Sequence, residues 1–334
     1  MIEPIYNPSP SRYDDGMVYR RAGRSGVLLP LVSLGLWQNF GSRQSFSKVR
    51  EMAHYAFDRG IVHFDLANNY GPEYGTAEEH FGRLMEQSFR PYRDELFIST
   101  KAGYDMWPGP YGNWGSRKYL MASLDQSLRR MKLDYVDIFY SHRYDPETPL
   151  EETLQALVDI VRSGRALYVG LSRYPLEAAR FAFDYLAARD VPCLLFQDRY
   201  NLLDRAPVDS GVFDLSAAAG AGFIVFSPLA QGLLTNRYLG GIPAGSRMAE
   251  GRTLRSDVLD EAMLARLRGL DDLARQRGQS LAEMALAWLL RDERITSVIV
   301  GASSTAQIAD NLRAIGNRNF SDDELARIEL LTRG

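Results

Sequence analysis

Four polar side chains stand where apolar runs end: Asp65 and Tyr70 in IVHFDLANNYG, Lys101 in ELFISTKAG, and His142 in VDIFYSHRYD. A phenol beside an ammonium, backed by a carboxylate and an imidazole, can protonate a carbonyl oxygen at neutral pH. A phenol ordinarily holds its proton up to about pH 10, and a nearby cation favours the phenolate, which eases release of that proton. The carboxylate would keep the ammonium charged and aimed, and the imidazole could hydrogen-bond the reacting oxygen. Such a set supplies a proton but no reductant, so the rest of the chain must hold one. Singly, each residue has an ordinary reading: a turn aromatic for Tyr70, a cap for Asp65, a strand-closing hydrogen bond for His142. Their joint arrival at successive strand ends is what points to chemistry.

The elements that must position them follow from the apolar pattern. Short runs rich in Val, Ile, Leu or Phe at 32–35, 63–65, 96–100, 136–140, 167–170, 194–196, 223–226 and 297–300 read as strands buried on both faces. Amphipathic stretches at 47–59, 77–87, 116–131, 150–163, 176–188 and 260–277 read as helices, with caps expected at Ser116 and at Thr148-Pro149. Eight strands joined by crossover helices predict an α/β fold, a (β/α)8 TIM barrel, preceded by a short N-terminal hairpin in MVYRRAGRSGVLLP. The whole chain, 1–334, is expected to be one domain, with 1–16 an extended lead-in. In a parallel barrel every strand's C-terminal end opens on one face, where active sites gather. Asp65, Lys101 and His142 then end three neighbouring strands, and Tyr70 lies five residues past Asp65.

Composition narrows the function. The 334 residues are 46% hydrophobic and 24% charged with a net charge of −3, and no Lys/Arg block marks a nucleic-acid or anionic-membrane surface. The one cysteine, Cys193 in VPCLLF, allows no internal disulfide and reads as a buried structural thiol. A polar, Pro-rich start and the lack of any run of about 20 apolar residues give no signal peptide or membrane span, so the cytoplasm is the expected compartment. The rival architecture, an open doubly wound sheet, usually carries a Gly-rich dinucleotide fingerprint after its first strand. The run VSLGLWQNFGSRQSF has none, so any nucleotide must be held another way. The long, Gly-rich, basic stretch AQGLLTNRYLGGIPAGSRMAEGRTLRSD is of a length usually reserved for functional or disordered loops.

FDLANNYG, ISTKAG and YSHRYD resemble, in order and spacing, the motifs of the aldo-keto reductases. KAGYDMWPGPYGNWGSRKYL and SPLAQGLLTNRYLGGIP further resemble the branch that joins bacterial L-glyceraldehyde 3-phosphate reductases to voltage-gated potassium-channel β subunits. The resemblance implies Tyr70 as general acid, Lys101 as the group lowering its pKa, Asp65 as the partner of Lys101, and His142 as the residue orienting the carbonyl. It also implies NADP(H) laid across the barrel mouth, no metal, and a hint of homo-oligomeric assembly. Ser172, Arg173 and Gln197 match the positions that hold the carboxamide, although Arg173 stands where the family usually has Asn or Ser. Phe226 matches the ring placed against the nicotinamide, and Ser227, Leu229, Gln231, Gly232 and Arg237 match the pyrophosphate turn. Ser303 and Gln307 match contacts to the 2′-phosphate, and Asp310 and Asn311 match contacts to adenine. Ser304 replaces the cation that the bacterial reductases often carry there.

Trp37, Trp107 and Trp114, on loops after the first and third strands, are expected to wall off the substrate from water. Trp37, Tyr70, Trp107 and His142 are the expected substrate contacts, and Trp37 and Asp65 are expected to touch the cofactor too. Arg117, Lys118 and Arg143 are the cations that could meet a phosphorylated aldehyde. The leading expectation is NADPH-dependent reduction of a small aldehyde or ketone, of the L-glyceraldehyde 3-phosphate or methylglyoxal type. A slowly turning, cofactor-bound regulatory subunit and a cofactor-free lyase using Lys101 as a Schiff base are the alternatives.

Overall fold

The computed structural model describes residues 6–242 and 258–333. The second half of the long basic stretch, 243–257, and the first five residues lie outside the described residues. Strands β1 (Tyr19–Arg21) and β2 (Leu28–Pro30) pair as an antiparallel hairpin. Eight strands follow: β3 (Val32–Gly35), β4 (His63–Asp65), β5 (Phe97–Ala102), β6 (Val136–Ser141), β7 (Ala166–Ser172), β8 (Cys193–Arg199), β9 (Gly222–Phe226) and β10 (Ile295–Val300). They close in sequence order into a parallel barrel, β10 pairing with β3. Helices α1 (Phe46–Asp58), α2 (Thr76–Leu84), α3 (Arg117–Met131), α4 (Leu150–Arg162) and α5 (Leu176–Ala187) supply the early crossovers. Further along come α6 (Ala206–Asp209), α7 (Val212–Ala219), α8 (Glu261–Gln276), α9 (Leu281–Leu290), α10 (Thr305–Leu312) and α11 (Asp322–Arg333). The expected TIM barrel with its hairpin is the fold found.

Alternation along the strands divides the side chains between two compartments. Phe64, Ile98, Phe139 and Val298 pack outward with the helices, while Phe97, Ile138, Tyr140, Leu195, Ile224 and Ile299 fill the barrel interior with Ala22 and Leu29 of the hairpin. The hairpin therefore closes the N-terminal end. Arg24 N–H donates to Gly220 O at 2.9 Å, and the Arg20 guanidinium donates to Leu290 O and Asp292 O at 3.0 and 2.9 Å, just before β10. Sealing that end leaves the C-terminal mouth for chemistry.

Local signals behaved unevenly. Ser116 caps α3 as expected, its hydroxyl accepting from Tyr119 N–H at 3.3 Å. The expected Thr148 cap of α4 is not made, because Asp145 Oδ1 accepts from the N–H groups of Glu147 and Thr148 and shapes that entry instead. Cys193 is buried at the start of β8, with its thiol pushed up to about 12 by burial.

Candidate active site

Lys101 is fully buried near the end of β5, where strand alternation turns it into the barrel. Its ammonium donates to Asp65 Oδ2 at 2.6 Å, to Leu66 O at 2.7 Å and to the Tyr70 hydroxyl at 3.4 Å. Asp65 ends β4 directly opposite Ser99 of β5, so the pair is built into strand register. The chain beyond β4 stays attached to its neighbours: Leu66 N–H donates to Ser99 O at 3.0 Å and Asn68 N–H to Lys101 O at 2.9 Å. Tyr70 then turns back, its N–H on Ala67 O, and Gly71 follows with φ +98°, a left-handed step that a side chain would strain. His142, one residue past β6, packs edge-on to Tyr70 with ring centroids 5.9 Å apart. Gly103 makes room for it: a Cβ there would come within 2.9 Å of His142 Cβ.

The electrostatics differ from the sequence expectation in one respect. The Tyr70 pKa lies well above the ordinary phenol range, raised first by burial, then by the charge of Asp65 and by Tyr104. Removal from water outweighs the neighbouring ammonium, so the resting phenol is a firmly held proton. Burial lowers the Lys101 pKa, with Asp65 opposing that shift through its charge and hydrogen bond. Burial, followed by the charges of Lys101, Arg143 and Arg173, holds His142 well below its usual value, so its ring is neutral near pH 7.

A cleft of about 1130 Å³ runs from this cluster across the mouth. At its inner end lie Trp37, Asp65, Tyr70 and His142, and Ser172, Arg173, Gln197 and Phe226 continue it. It passes the turn after β9, with Ser227, Leu229, Gln231, Gly232 and Arg237, and reaches Ser303 just before α10 and Gln307, Asp310 and Asn311 along that helix. One continuous wall thus gathers every expected cofactor position. Several buried polar atoms of its lining residues have no partner in the protein: Asn69 Oδ1, His142 Nδ1, Ser172 Oγ and Gln231 Oε1. Each such atom costs about 1–3 kcal/mol if left unpaired, and together they fit a long polar ligand.

The aldo/keto reductase family profile matches residues 31–333. The chain belongs to the aldo/keto reductase family. It is 56% identical over 329 residues to "L-glyceraldehyde 3-phosphate reductase" of Escherichia coli O157:H7, covering 97% of this chain and 95% of the relative. It is 35% identical over 306 residues to "Probable voltage-gated potassium channel subunit beta" of Oryza sativa subsp. japonica, covering 90% and 91%.

Other expected residues are placed less simply. Ser227 and Gln231 take left-handed backbone conformations, as does Ala230 between them, and Gly232 N–H is committed to Leu229 O at 2.8 Å. The turn expected to meet a pyrophosphate is therefore closed on itself, and Asn201 Nδ2 ties it down through Ser227 O. Ser303 donates through both N–H and hydroxyl to Gln307 Oε1, at 2.8 and 3.0 Å, so these two pair with each other. Asp310 pairs with Arg313 at 2.8 Å. Arg173 sits at φ +56° and donates to the Tyr104 hydroxyl at 3.4 Å. Trp107 packs on Tyr119 at 5.0 Å and Trp114 stacks on Arg143, neither of them lining the cleft. Of the three expected tryptophans, Trp37 alone lines it, 6.4 Å from the Tyr70 ring.

The cations also rearrange. Arg117 is bound to Asp159, Lys118 lies over Tyr111, and Arg143 is held by Gly103 O and Asn113. The cleft is lined instead by Arg43, Arg173, Arg199, Arg237 and Arg313. Sequence reading missed Tyr104, which lies edge-on to His142 at 4.7 Å and lines the cleft. Its signal was available: an aromatic three residues past Lys101 in the same motif. Arg313 gave no such sign, because it follows α10 and is held by Glu283 of α9 and by Asp310.

Proposed function

We propose that the protein reduces small aldehydes or ketones to alcohols with NADPH, with Tyr70 as the general acid. The observation that carries this reading is the contact of the Tyr70 hydroxyl with a fully buried Lys101–Asp65 pair at the inner end of the cleft. Bound along the cleft, a reduced nicotinamide supplies the hydride. Ser172 Oγ and Gln231 Oε1, both without protein partners, are suited to the polar groups of such a cofactor. Phe226, half-buried at the end of β9, would pack against its ring.

The chain's own residues handle the proton. A carbonyl oxygen seated between Tyr70 and His142 takes the phenolic proton as it gains negative charge. Lys101 stabilises the phenolate left behind, and Asp65 holds Lys101 in place while balancing its charge. His142, uncharged, can donate one hydrogen bond to the oxygen and so fix its angle of approach. Removal from water makes each of these interactions stronger than it would be at an open surface.

Similarity to a protein named for L-glyceraldehyde 3-phosphate reduction favours a small, phosphorylated aldehyde, and the arginines at the cleft are suited to a phosphate. Similarity to potassium-channel subunits supports a second reading, a cofactor-bound regulatory protein with slow turnover. Schiff-base chemistry at Lys101 is disfavoured because the ammonium is fully buried and its protons are bound by three oxygen acceptors. Oxidation of NADPH and of NADH should be followed with L-glyceraldehyde 3-phosphate, methylglyoxal and unphosphorylated aldehydes. Turnover of several per second with NADPH supports the proposal. Negligible turnover with every aldehyde, despite tight cofactor binding, would sink it in favour of the regulatory reading.

A further inference from the structure

Below the catalytic rim, inside the barrel, a row of buried polar side chains takes no part in the chemistry described so far. Ser297 Oγ lies 2.6 Å from Ser33 Oγ, and Ser33 Oγ lies 2.8 Å from His63 Nδ1. His63 Nε2 lies 3.2 Å from Ser99 Oγ, which donates to Asp65 Oδ1 at 2.7 Å. All four donors are fully buried. They come from β10, β3, β4 and β5, four neighbours in the closed sheet, each at a position that alternation turns inward.

Counting protons fixes the direction of the row. A carboxylate paired with Lys101 can only accept, so the single Ser99 hydroxyl proton goes to Asp65. Ser99 Oγ then accepts from His63, which places the ring hydrogen on Nε2. Burial holds the His63 pKa down to about 4, with the Asp65 charge opposing and the Lys101 charge reinforcing, so the ring is neutral and carries one N–H. Nδ1 must therefore accept from Ser33, and Ser33 from Ser297. Every proton in the row points toward Asp65.

We infer that His63 is a positioning residue for the proposed reduction: by donating from Nε2 it locks the Ser99 hydroxyl onto Asp65 Oδ1, leaving Oδ2 to hold Lys101 beneath Tyr70. Without that donor, the Ser99 hydroxyl is free to swing toward Phe64 O, 3.4 Å away. Asp65 Oδ1 would then keep only the longer contact from Gln197 Nε2 at 3.2 Å. A carboxylate so loosened no longer fixes the ammonium, and small displacements of catalytic groups cost rate steeply.

The inference rests on the role proposed for Tyr70 and Lys101, so its test includes a measurement independent of turnover. The chain has four histidines, few enough for long-range ¹⁵N–¹H correlation on the full-length, histidine-labelled protein. The resonance absent from His63→Gln should be a neutral Nε2–H ring near pH 7, and an Nδ1–H ring overturns the proton order whatever the activity. In kinetics, His63→Leu and Ser99→Ala should each lower kcat about tenfold or more while cofactor KM stays within about twofold. The double variant should be no slower than the worse single one. His63→Gln, whose amide keeps one donor and one acceptor, should recover most of the rate. Unchanged kcat in Ser99→Ala, or losses that multiply in the double variant, overturn the assignment. Should His63→Leu fail to fold, Ser99→Ala and His63→Gln carry the comparison. A native chain that reduces no aldehyde yet shows the Nε2–H ring overturns the functional reading, and the role with it, while the proton order stands.

Discussion

The two ends of the cleft are built on different principles. At the inner end, Asp65, Lys101 and His142 stand at or next to strand termini, are buried, and are fixed by register and by bonds as short as 2.6 Å. At the outer end, half-buried Ser303 and exposed Gln307 stand on a loop and a helix start, and they bond to each other. Arg313 there is 61% exposed and shared between Glu283 and Asp310. The inner groups are positioned before any ligand arrives. The outer ones must exchange existing partners for a ligand, so each should contribute less and be easier to replace.

The largest effect should come from Tyr70→Phe, which removes one oxygen and leaves the ring packing intact. We expect kcat to fall by about 10²–10⁴-fold, the usual contribution of a general acid, with cofactor affinity by fluorescence titration nearly unchanged. Equal losses in both would mean that Tyr70 binds rather than reacts, and the contrast between the two ends would fail.

Lys101→Met tests whether the inner end is also a structural commitment. It leaves Asp65 buried without its cation, which typically costs about 3–5 kcal/mol, seen as a lower urea midpoint. Adding Asp65→Asn should restore part of that stability while activity stays lost. A surface pair such as Arg59–Asp15, 2.6 Å apart but about half exposed on each side, should shift the midpoint by well under a quarter as much when broken.

Acid sharpens the same comparison. Burial is the largest cause lowering all four histidines, His54 and His63 to about 4 and His142 well below its usual value. Each therefore binds a proton less readily in the folded chain than in the unfolded one. Their contribution to stability is complete above about pH 6.5 and is lost as pH falls toward the folded values. For fully buried His63 the slope approaches about 1.4 kcal/mol per pH unit in that window. Melting temperature should thus decline below pH 6.5, less steeply in His63→Gln. A flat profile would mean that these rings are not buried as neutral bases.

The same division explains what the sequence disclosed. Strand periodicity and strand-end polarity announced the barrel and the four catalytic candidates, because each depends on local alternation and on one neighbouring strand. Helix α9 escaped because it is buried on every side and shows no polar face to set a period. Trp107 and Trp114 were assigned to the mouth from loop position alone, yet their rings pack on Tyr119 and Arg143, partners that spacing does not reveal. The cleft arginines were misplaced for the same reason. Arg117 finds Asp159 across helices, while Arg43 reaches the cleft from the loop after β3 and Arg199 from the last position of β8. Contacts fixed by register could be read from the chain, and contacts fixed by loop paths could not.

The smallest effects belong to the outer end. If the proposed preference for NADPH holds, its 2′-phosphate needs a cation, and Arg313, which follows α10 and lines the same cleft as Ser303 and Gln307, is the candidate. Its exposure and its two carboxylate partners limit the gain to about 1 kcal/mol, because binding a phosphate means giving up Glu283 or Asp310. Arg313→Ala should therefore raise KM for NADPH about three- to tenfold and leave NADH and kcat unchanged. Glu283→Gln should act in the opposite direction by releasing the guanidinium. Equal effects on both cofactors would show that Arg313 serves α9 and α10 rather than the ligand, and the phosphate would have to be met by Ser303 and the N-terminus of α10.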